Sequence, residues 1–262
     1  MKWMIRVDME GLTGVVNMDQ VVPGAKDYAC GLRMLKHDLS AVLEGLLRQP
    51  EDRVLLYDIH FYGTNVDLEG LDPRVEIICG KPNYSPGNRS FLGGGFDGMI
   101  LLGLHAKAET PGALLAHNYE HDIERMAVNG VVVGEIGLEA YIAGEAGVPL
   151  VMVTADSEGA AETLALLPGA LTVTVKESLG DTAALCYPPS RTRELLVSAA
   201  SRCAETAPQL KPFTPDRAGR IELDMRFRPG ALLDKLKTRI YGSFVEDRRI
   251  VLTGGSVTEA CE

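Results

Sequence analysis

The sequence contains no apolar run long enough to span a bilayer. Its first residues, Met1-Lys2-Trp3-Met4-Ile5-Arg6-Val7-Asp8, become charged too early for a secretory signal and read as a strand that starts at once. It has no cluster of Lys or Arg. Acidic residues number 36 against 26 basic ones, for a formal net charge of -10. Such a chain repels phosphate backbones, so neither nucleic acid nor a membrane is expected as a partner. It also has no CxxC pair. Cys30, Cys79, Cys186, Cys203 and Cys261 are odd in number and widely scattered. That pattern predicts free thiols in a reducing compartment, the cytoplasm, and argues against a disulfide framework or a structural zinc knot. Internal repeats and low-complexity stretches are absent as well.

What is present suits a globular α/β chain. The 262 residues are 46% apolar, enough for one large domain with a small appendage. Short apolar runs at Lys2–Asp8, Arg53–Asp58, Val75–Cys79 and Gly98–Leu104 read as buried strands, and Tyr28–Leu47 has apolar residues at helical spacing. Strands alternating with a long helix predict a mainly parallel sheet flanked by helices. Asn129-Gly130 between Ile123–Val128 and Val131–Val133 signals a hairpin. Helices are predicted over Glu135–Ala146, Ser157–Leu167 and Ser190–Glu205, and strands over Pro149–Ala155 and Leu171–Lys176. The prolines at 208, 212 and 215 mark a linker. This divides the chain into a catalytic domain, 1–207, and a smaller C-terminal α/β subdomain, 208–262, built from a strand at Arg220–Phe227, a helix at Gly230–Lys237 and strands at Ile240–Val245 and Arg249–Thr253.

The chemistry is concentrated at strand ends. Asp8 and Glu10 are two apart, a spacing that puts two carboxylates on one side of an extended chain. Taken alone, the pair is an ordinary polar exit from a strand. Asp58 and His60 repeat the spacing after the second strand, and His105 follows the fourth. Parallel strands finish on one edge, where ligands bind in open α/β sheets. Three such ends carrying carboxylate and imidazole suit zinc, manganese or iron. Glu135 begins a predicted helix, where the dipole favours its charge. His117 follows a short apolar stretch readable as a strand, and is either a working group or a hydrogen-bonded core histidine. His121, among acidic neighbours, reads as solvated, and His37 has no assigned role. Asp58 is expected to orient a ligand histidine. Lys107 is either a contact for a substrate carboxylate or a solvated loop lysine.

Four segments in order carry a resemblance: Val7-Asp8-Met9-Glu10-Gly11, Asp58-Ile59-His60, Gly103 to Gly112 around His105, and Val132 to Tyr141 around Glu135. Together they resemble the M55 peptidase family, whose members include bacterial zinc-dependent D-aminopeptidases. The resemblance runs from Val7 to about Lys176. It implies an aminopeptidase with two Zn2+ per subunit, held by Asp8, Glu10, His60, His105 and Glu135, with His117 as the catalytic histidine. It further implies a ring-shaped, decamer-like homo-oligomer that encloses its active sites. The substrate would be a short peptide or an aminoacyl amide, D-configured in the family's pattern. Two other functions fit the same residues: a two-metal amidohydrolase acting on an L-configured, modified or non-peptide amide, and a non-catalytic scaffold for a metal or an amino acid. A phosphate-binding reading of Gly93-Gly94-Gly95-Phe96-Asp97-Gly98 fails because this loop precedes a strand instead of following one.

Overall fold

The fold is known from a computed structural model that describes residues 1–81, 93, 95–216, 219–229, 244–246 and 248–261, with backbone alone for 244–246. The predicted helix at Gly230–Lys237, most of the strand at Ile240–Val245, and Gly94 of the glycine loop lie outside the described residues.

A seven-stranded sheet forms the centre. Its order is β3 (Val75–Ile78), β2 (Arg53–Asp58), β1 (Lys2–Val7), β4 (Gly98–Leu104), β7 (Leu150–Asp156), β8 (Leu171–Ser178) and β9 (Ala184–Cys186). All neighbours are parallel except β8 and β9. Alternation along β1 sends Trp3, Ile5 and Val7 into one core and Met4 into the other. On the first face, α1 (Tyr28–Leu46) buries Leu35, Leu39, Val42, Leu43 and Leu46 beside Leu196, Ala200 and Cys203 of α4 (Pro189–Thr206). The second face is covered by α2 (Glu135–Glu145) and the short α5 (Val257–Ala260), which bury Ile136, Tyr141 and Val257 among others. The helix α3 (Ser157–Leu166) starts where Asp156 accepts a hydrogen bond from Gly159 N at 2.8 Å, an N-cap.

A second, antiparallel sheet has the order β11 (Phe244–Glu246), β12 (Arg249–Gly254), β10 (Ile221–Phe227), β5 (Ile123–Val128) and β6 (Val131–Val133). The strands expected in the 208–262 subdomain thus extend a hairpin from the middle of the chain, with Leu223 opposite Val128. At the hairpin turn Asn129 and Gly130 both have positive φ, 47° and 84°. The proline segment packs on α2, with Phe213 stacked on Tyr141 at 4.4 Å. Among the described residues, no helix is long and apolar enough to cross a membrane.

The order of the large sheet reverses at its middle. From β1 the chain builds β2 and β3 to one side, then returns to lay β4, β7 and β8 on the other. Such a switch point opens a crevice outside the carboxyl ends of the two central strands, here β1 and β4. Two glycines let these ends close together. A Cβ on Gly11 would lie 1.7 Å from Leu104 O, and one on Gly103 would lie 2.4 Å from Asp8 O. Gly103 also has φ +77° and donates its N–H to Thr154 Oγ1 at 2.8 Å, outside the regular ladder.

These glycines give a test. Gly112 also has a positive φ, +72°, but open space around its Cβ position. Gly112→Ala is expected to cost about 1 kcal/mol, the left-handed penalty alone. Gly103→Ala adds a backbone collision and is expected to cost roughly 2–3 kcal/mol. Urea unfolding of the metal-free variants measures both; equal losses would mean that the β1–β4 approach is not tight.

Candidate metal centre

β1 ends at Val7, so Asp8 and Glu10 lie in the turn beyond it and not on an extended strand. Their convergence comes from the turn, fixed by Asp8 N→Leu102 O at 2.8 Å and Gly11 N→Gly103 O at 2.7 Å. Lys176, buried in β8, donates from Nζ to Glu10 O at 2.6 Å and Leu12 O at 2.7 Å. Burial pushes its ammonium down to about 8. His60 follows β2, His105 follows β4, and Glu135 is the first residue of α2. All five side chains are buried. The stretch before His117 is a turn and not a strand, with Leu115 at φ 51°.

Each histidine of the cluster is anchored on one nitrogen. A carbonyl oxygen only accepts, so the nitrogen facing it bears hydrogen. His60 Nε2 donates to Val21 O at 2.8 Å, His105 Nδ1 to Ala106 O at 2.9 Å, and His117 Nδ1 to Leu115 O at 2.9 Å. The remaining nitrogens point at carboxylates. His60 Nδ1 is 2.8 Å from Asp8 Oδ1 and 3.4 Å from Glu10 Oε2. His105 Nε2 is 3.4 Å from Asp8 Oδ2 and 3.3 Å from Glu135 Oε1. His117 Nε2 is 4.0 Å from Glu135 Oε1. Backbone-anchored imidazoles with the second nitrogen turned inward are the arrangement that metal-ligating histidines adopt.

Three of these inward atoms, Asp8 Oδ2, Glu10 Oε2 and His105 Nε2, are buried without a hydrogen-bond partner. Buried polar atoms are normally satisfied. The donor set fits a divalent ion of zinc's kind. Two groups of ligand atoms lie within 4.8 Å of one another, Asp8 with Glu10 and His105, and His105 with His117 and Glu135.

The electrostatics agree. Burial, reinforced by Glu10, lifts the Asp8 carboxyl to about 7. Burial acts the same way on Glu10, but the charge of His60 and His105 overrides it and holds that carboxyl well below its ordinary value. Glu135 is likewise held low, chiefly by His105 against the cost of burial. Despite burial, Glu10 and Asp8 raise His60 to about 11, while Glu135 and Asp8 raise His105 to about 10. His117 moves the other way, to about 4, because burial and the charge on His105 both disfavour a second imidazolium. Its ring is stacked between His105, 4.1 Å away, and His121, 4.4 Å away.

Other expectations fare differently. Asp58 does not reach the His60 ring; its carboxylate accepts from His60 N at 3.2 Å and from Asn65 N at 2.6 Å, shaping the backbone after β2. Lys107 points to Glu162, 3.7 Å away, and lines a separate cavity with Glu109 and Arg226. His37 ties α1 to α4, bonding Asp38 at 2.8 Å and Pro189 O at 3.0 Å. Sequence reasoning missed Lys176, Tyr119, Glu139 and Arg6. Only Arg6 left a legible signal, a charge in the middle of a buried strand. Asp8, Glu10, His60, Glu135, His117 and His121 share a cavity of about 340 Å³ with Arg6, Tyr119 and Glu139, while His105 lies behind its wall.

Comparison with known proteins now decides the family. The profile for peptidase M55, described as D-aminopeptidase, matches residues 1–262. The chain belongs to the M55 peptidase family. It is a metallo-aminopeptidase, a hydrolase of peptide or amide bonds. A D-aminopeptidase of Bacillus subtilis (strain 168) is 31% identical over 217 residues, 82% of this chain and 78% of that protein. The solved structure of the Zn-dependent D-aminopeptidase DppA from Bacillus subtilis, described as a self-compartmentalizing protease, matches with a TM-score of 0.88 at 26% identity. That match covers 99% of this chain and 94% of the other.

The protonation pattern of the M55 chain yields a prediction. Without metal, His60 and His105 keep their protons at pH 7, and the Asp8 carboxyl, raised to about 7, holds on to its proton far above the ordinary carboxylate range. Both histidine values are raised above the ordinary 6.5, so their stabilisation of the metal-free fold is complete below pH 6.5 and is lost as pH passes about 10 to 11. A divalent ion must displace these protons. Calorimetric zinc titration at pH 7, in buffers of different ionisation enthalpy, is expected to show release of roughly two to three protons per chain. Release of fewer than one would contradict the assignment.

Proposed function

We propose that this M55 chain is a zinc-dependent aminopeptidase with two metal ions per subunit, which Asp8, Glu10, His60, His105 and Glu135 would hold. The supporting observation is the set of buried ligand atoms without hydrogen-bond partners, Asp8 Oδ2, Glu10 Oε2 and His105 Nε2. The zinc dependence printed for DppA supports the choice of metal. Paired zinc ions, when bound, supply Lewis acidity toward a carbonyl and activate water at neutral pH.

The chain's own residues do the rest. Val21 O, Ala106 O and Leu115 O fix the three imidazoles, so that their free nitrogens stay aimed at the carboxylates of Asp8, Glu10 and Glu135. His117 is the catalytic residue of this reading. Its Nδ1–H is committed to Leu115 O, which leaves Nε2 as a lone-pair acceptor facing the cavity. From there it either takes a proton from the attacking water and returns it from Nε2 to the leaving amine, or bonds the carbonyl carbon through Nε2 while the scissile C–N bond breaks and the amine leaves with a proton from water, the acyl-imidazole then being hydrolysed by a second water. The cavity of about 340 Å³ suits a small substrate, a short peptide or an aminoacyl amide with a free amine. D-configuration is proposed from the relatives' descriptions. A homo-oligomeric ring, decamer-like and enclosing the sites, is proposed from the self-compartmentalizing description of DppA. A cytoplasmic location is proposed from the five free thiols.

A second reading of His117 has one observation behind it. Its ligand atom groups with those of His105 and Glu135, which would make it a sixth metal ligand. The variant His117→Ala separates the two. Zinc-loaded wild type is expected to hydrolyse D-aminoacyl amides in preference to L-forms and to amine-blocked forms. The variant is expected to keep wild-type zinc content and melting temperature, with kcat lower by about 10²–10⁴-fold. Zinc lost in proportion to activity would make His117 a ligand. Equal turnover of blocked and free amines would contradict recognition of a free α-amine at this site.

A further inference from the structure

The segment that carries His117 is not held by regular structure; Asn118, which accepts from Ala108 N and donates to Ile123 O, ties it to the neighbouring backbone, and Tyr119 ties it to α2. Glu135 and Glu139 are four apart on α2 and present their carboxylates on one face. Both bind Tyr119. Its backbone N–H donates to Glu135 Oε1 at 2.7 Å, and its hydroxyl donates to Glu139 Oε1 at 2.8 Å. Tyr119 has φ +28°, a conformation that a tyrosine keeps only when its surroundings impose it. Glu139 is itself fixed by an ion pair with Arg6. Both partners are buried, at 3% and 1% exposure, and Arg6 lies on β1 two residues before Asp8. A continuous polar path therefore joins the strand of the first metal ligand to the segment of His117, and all of its members line the substrate cavity.

We propose that Tyr119 is a positioning residue for His117, and that its hydroxyl, held by the Arg6–Glu139 pair, keeps the 117–121 segment folded so that His117 Nε2 faces Glu135. The inference rests on the reading of His117 as the group that acts on substrate. It differs from plain packing in one respect. Packing needs the ring of Tyr119, whereas this role needs the hydroxyl. Arg6 and Glu139 are poor targets for the test, because removing either breaks a buried ion pair and destabilises the fold.

Tyr119→Phe keeps the ring and removes only the hydroxyl. In the zinc-loaded enzyme its kcat on the best aminoacyl amide is expected to fall by ~10-fold to 10²-fold. KM, zinc content and melting temperature are expected to stay at wild-type values. In a His117→Ala background the same change is expected to cause no further loss, since the two residues act as one unit. A second readout needs neither metal nor turnover. Imidazole NMR of the metal-free protein is expected to show the His117 signals moved or broadened in Tyr119→Phe, with those of His37, tied to α4 far from the change, unaffected. Wild-type kcat together with unmoved His117 signals would overturn the proposal, and so would an equal further loss in the His117→Ala background. If wild type hydrolyses no amide, the proposed function fails, and the NMR comparison alone decides whether Tyr119 holds His117.

Discussion

Three carboxylates, Asp8, Glu10 and Glu135, are buried around the ring of His105, and like charges in a medium of low dielectric require cations between them. In the metal-free state two imidazolium rings supply that charge. His60 and His105 are driven up to about 11 and about 10, and Asp8 retains part of a proton at neutral pH. This solution is incomplete, because ligand atoms on Asp8, Glu10 and His105 still lack hydrogen-bond partners. Divalent ions would neutralise the carboxylates and release the imidazoles to their neutral, ligating form. The same electrostatics set His117 apart. Beside a charged His105 it stays neutral, with a lone pair free.

The fold serves this concentration of charge. The reversal of strand order between β1 and β4 places a crevice where Asp8 and His105 emerge. Gly11 and Gly103 allow the two strand ends to approach more closely than any side chain would permit. Lys176 reaches from β8 to hold the carbonyls of Glu10 and Leu12, so the turn bearing Glu10 is fixed from below by a buried cation. On the other flank, α2 contributes Glu135 at its first turn, where the helix dipole favours a carboxylate, and Glu139 one turn later.

Much of this was legible in the residue order, for identifiable reasons. Short buried strands followed by Asp8, His60 and His105 had to deliver those groups to one edge, since parallel strands finish together. Asn129-Gly130 marked a hairpin because few other pairs tolerate two positive φ angles. What the order did not reveal depends on pairing across long separations. The C-terminal strands read as a separate unit, yet β10 lies against β5, a partner about a hundred residues earlier. Asp58 looked like an orienting group for a histidine ring, but the ring found Val21 O instead, a contact set by the loop after β1. Tyr119 showed no pattern at all, because its role comes from two carboxylates on a helix that follows it.

Membership in the M55 family fixes the class of reaction, and the charge argument addresses how this chain carries it out. Its central claim is that the cluster at the β1–β4 crevice binds two ions through Asp8, Glu10, His60, His105 and Glu135. Anomalous diffraction at the zinc edge from crystals of the zinc-loaded protein tests that claim most directly. The account predicts two peaks per chain, both within coordination distance of Asp8. A single peak, or peaks bound away from Asp8, would contradict it.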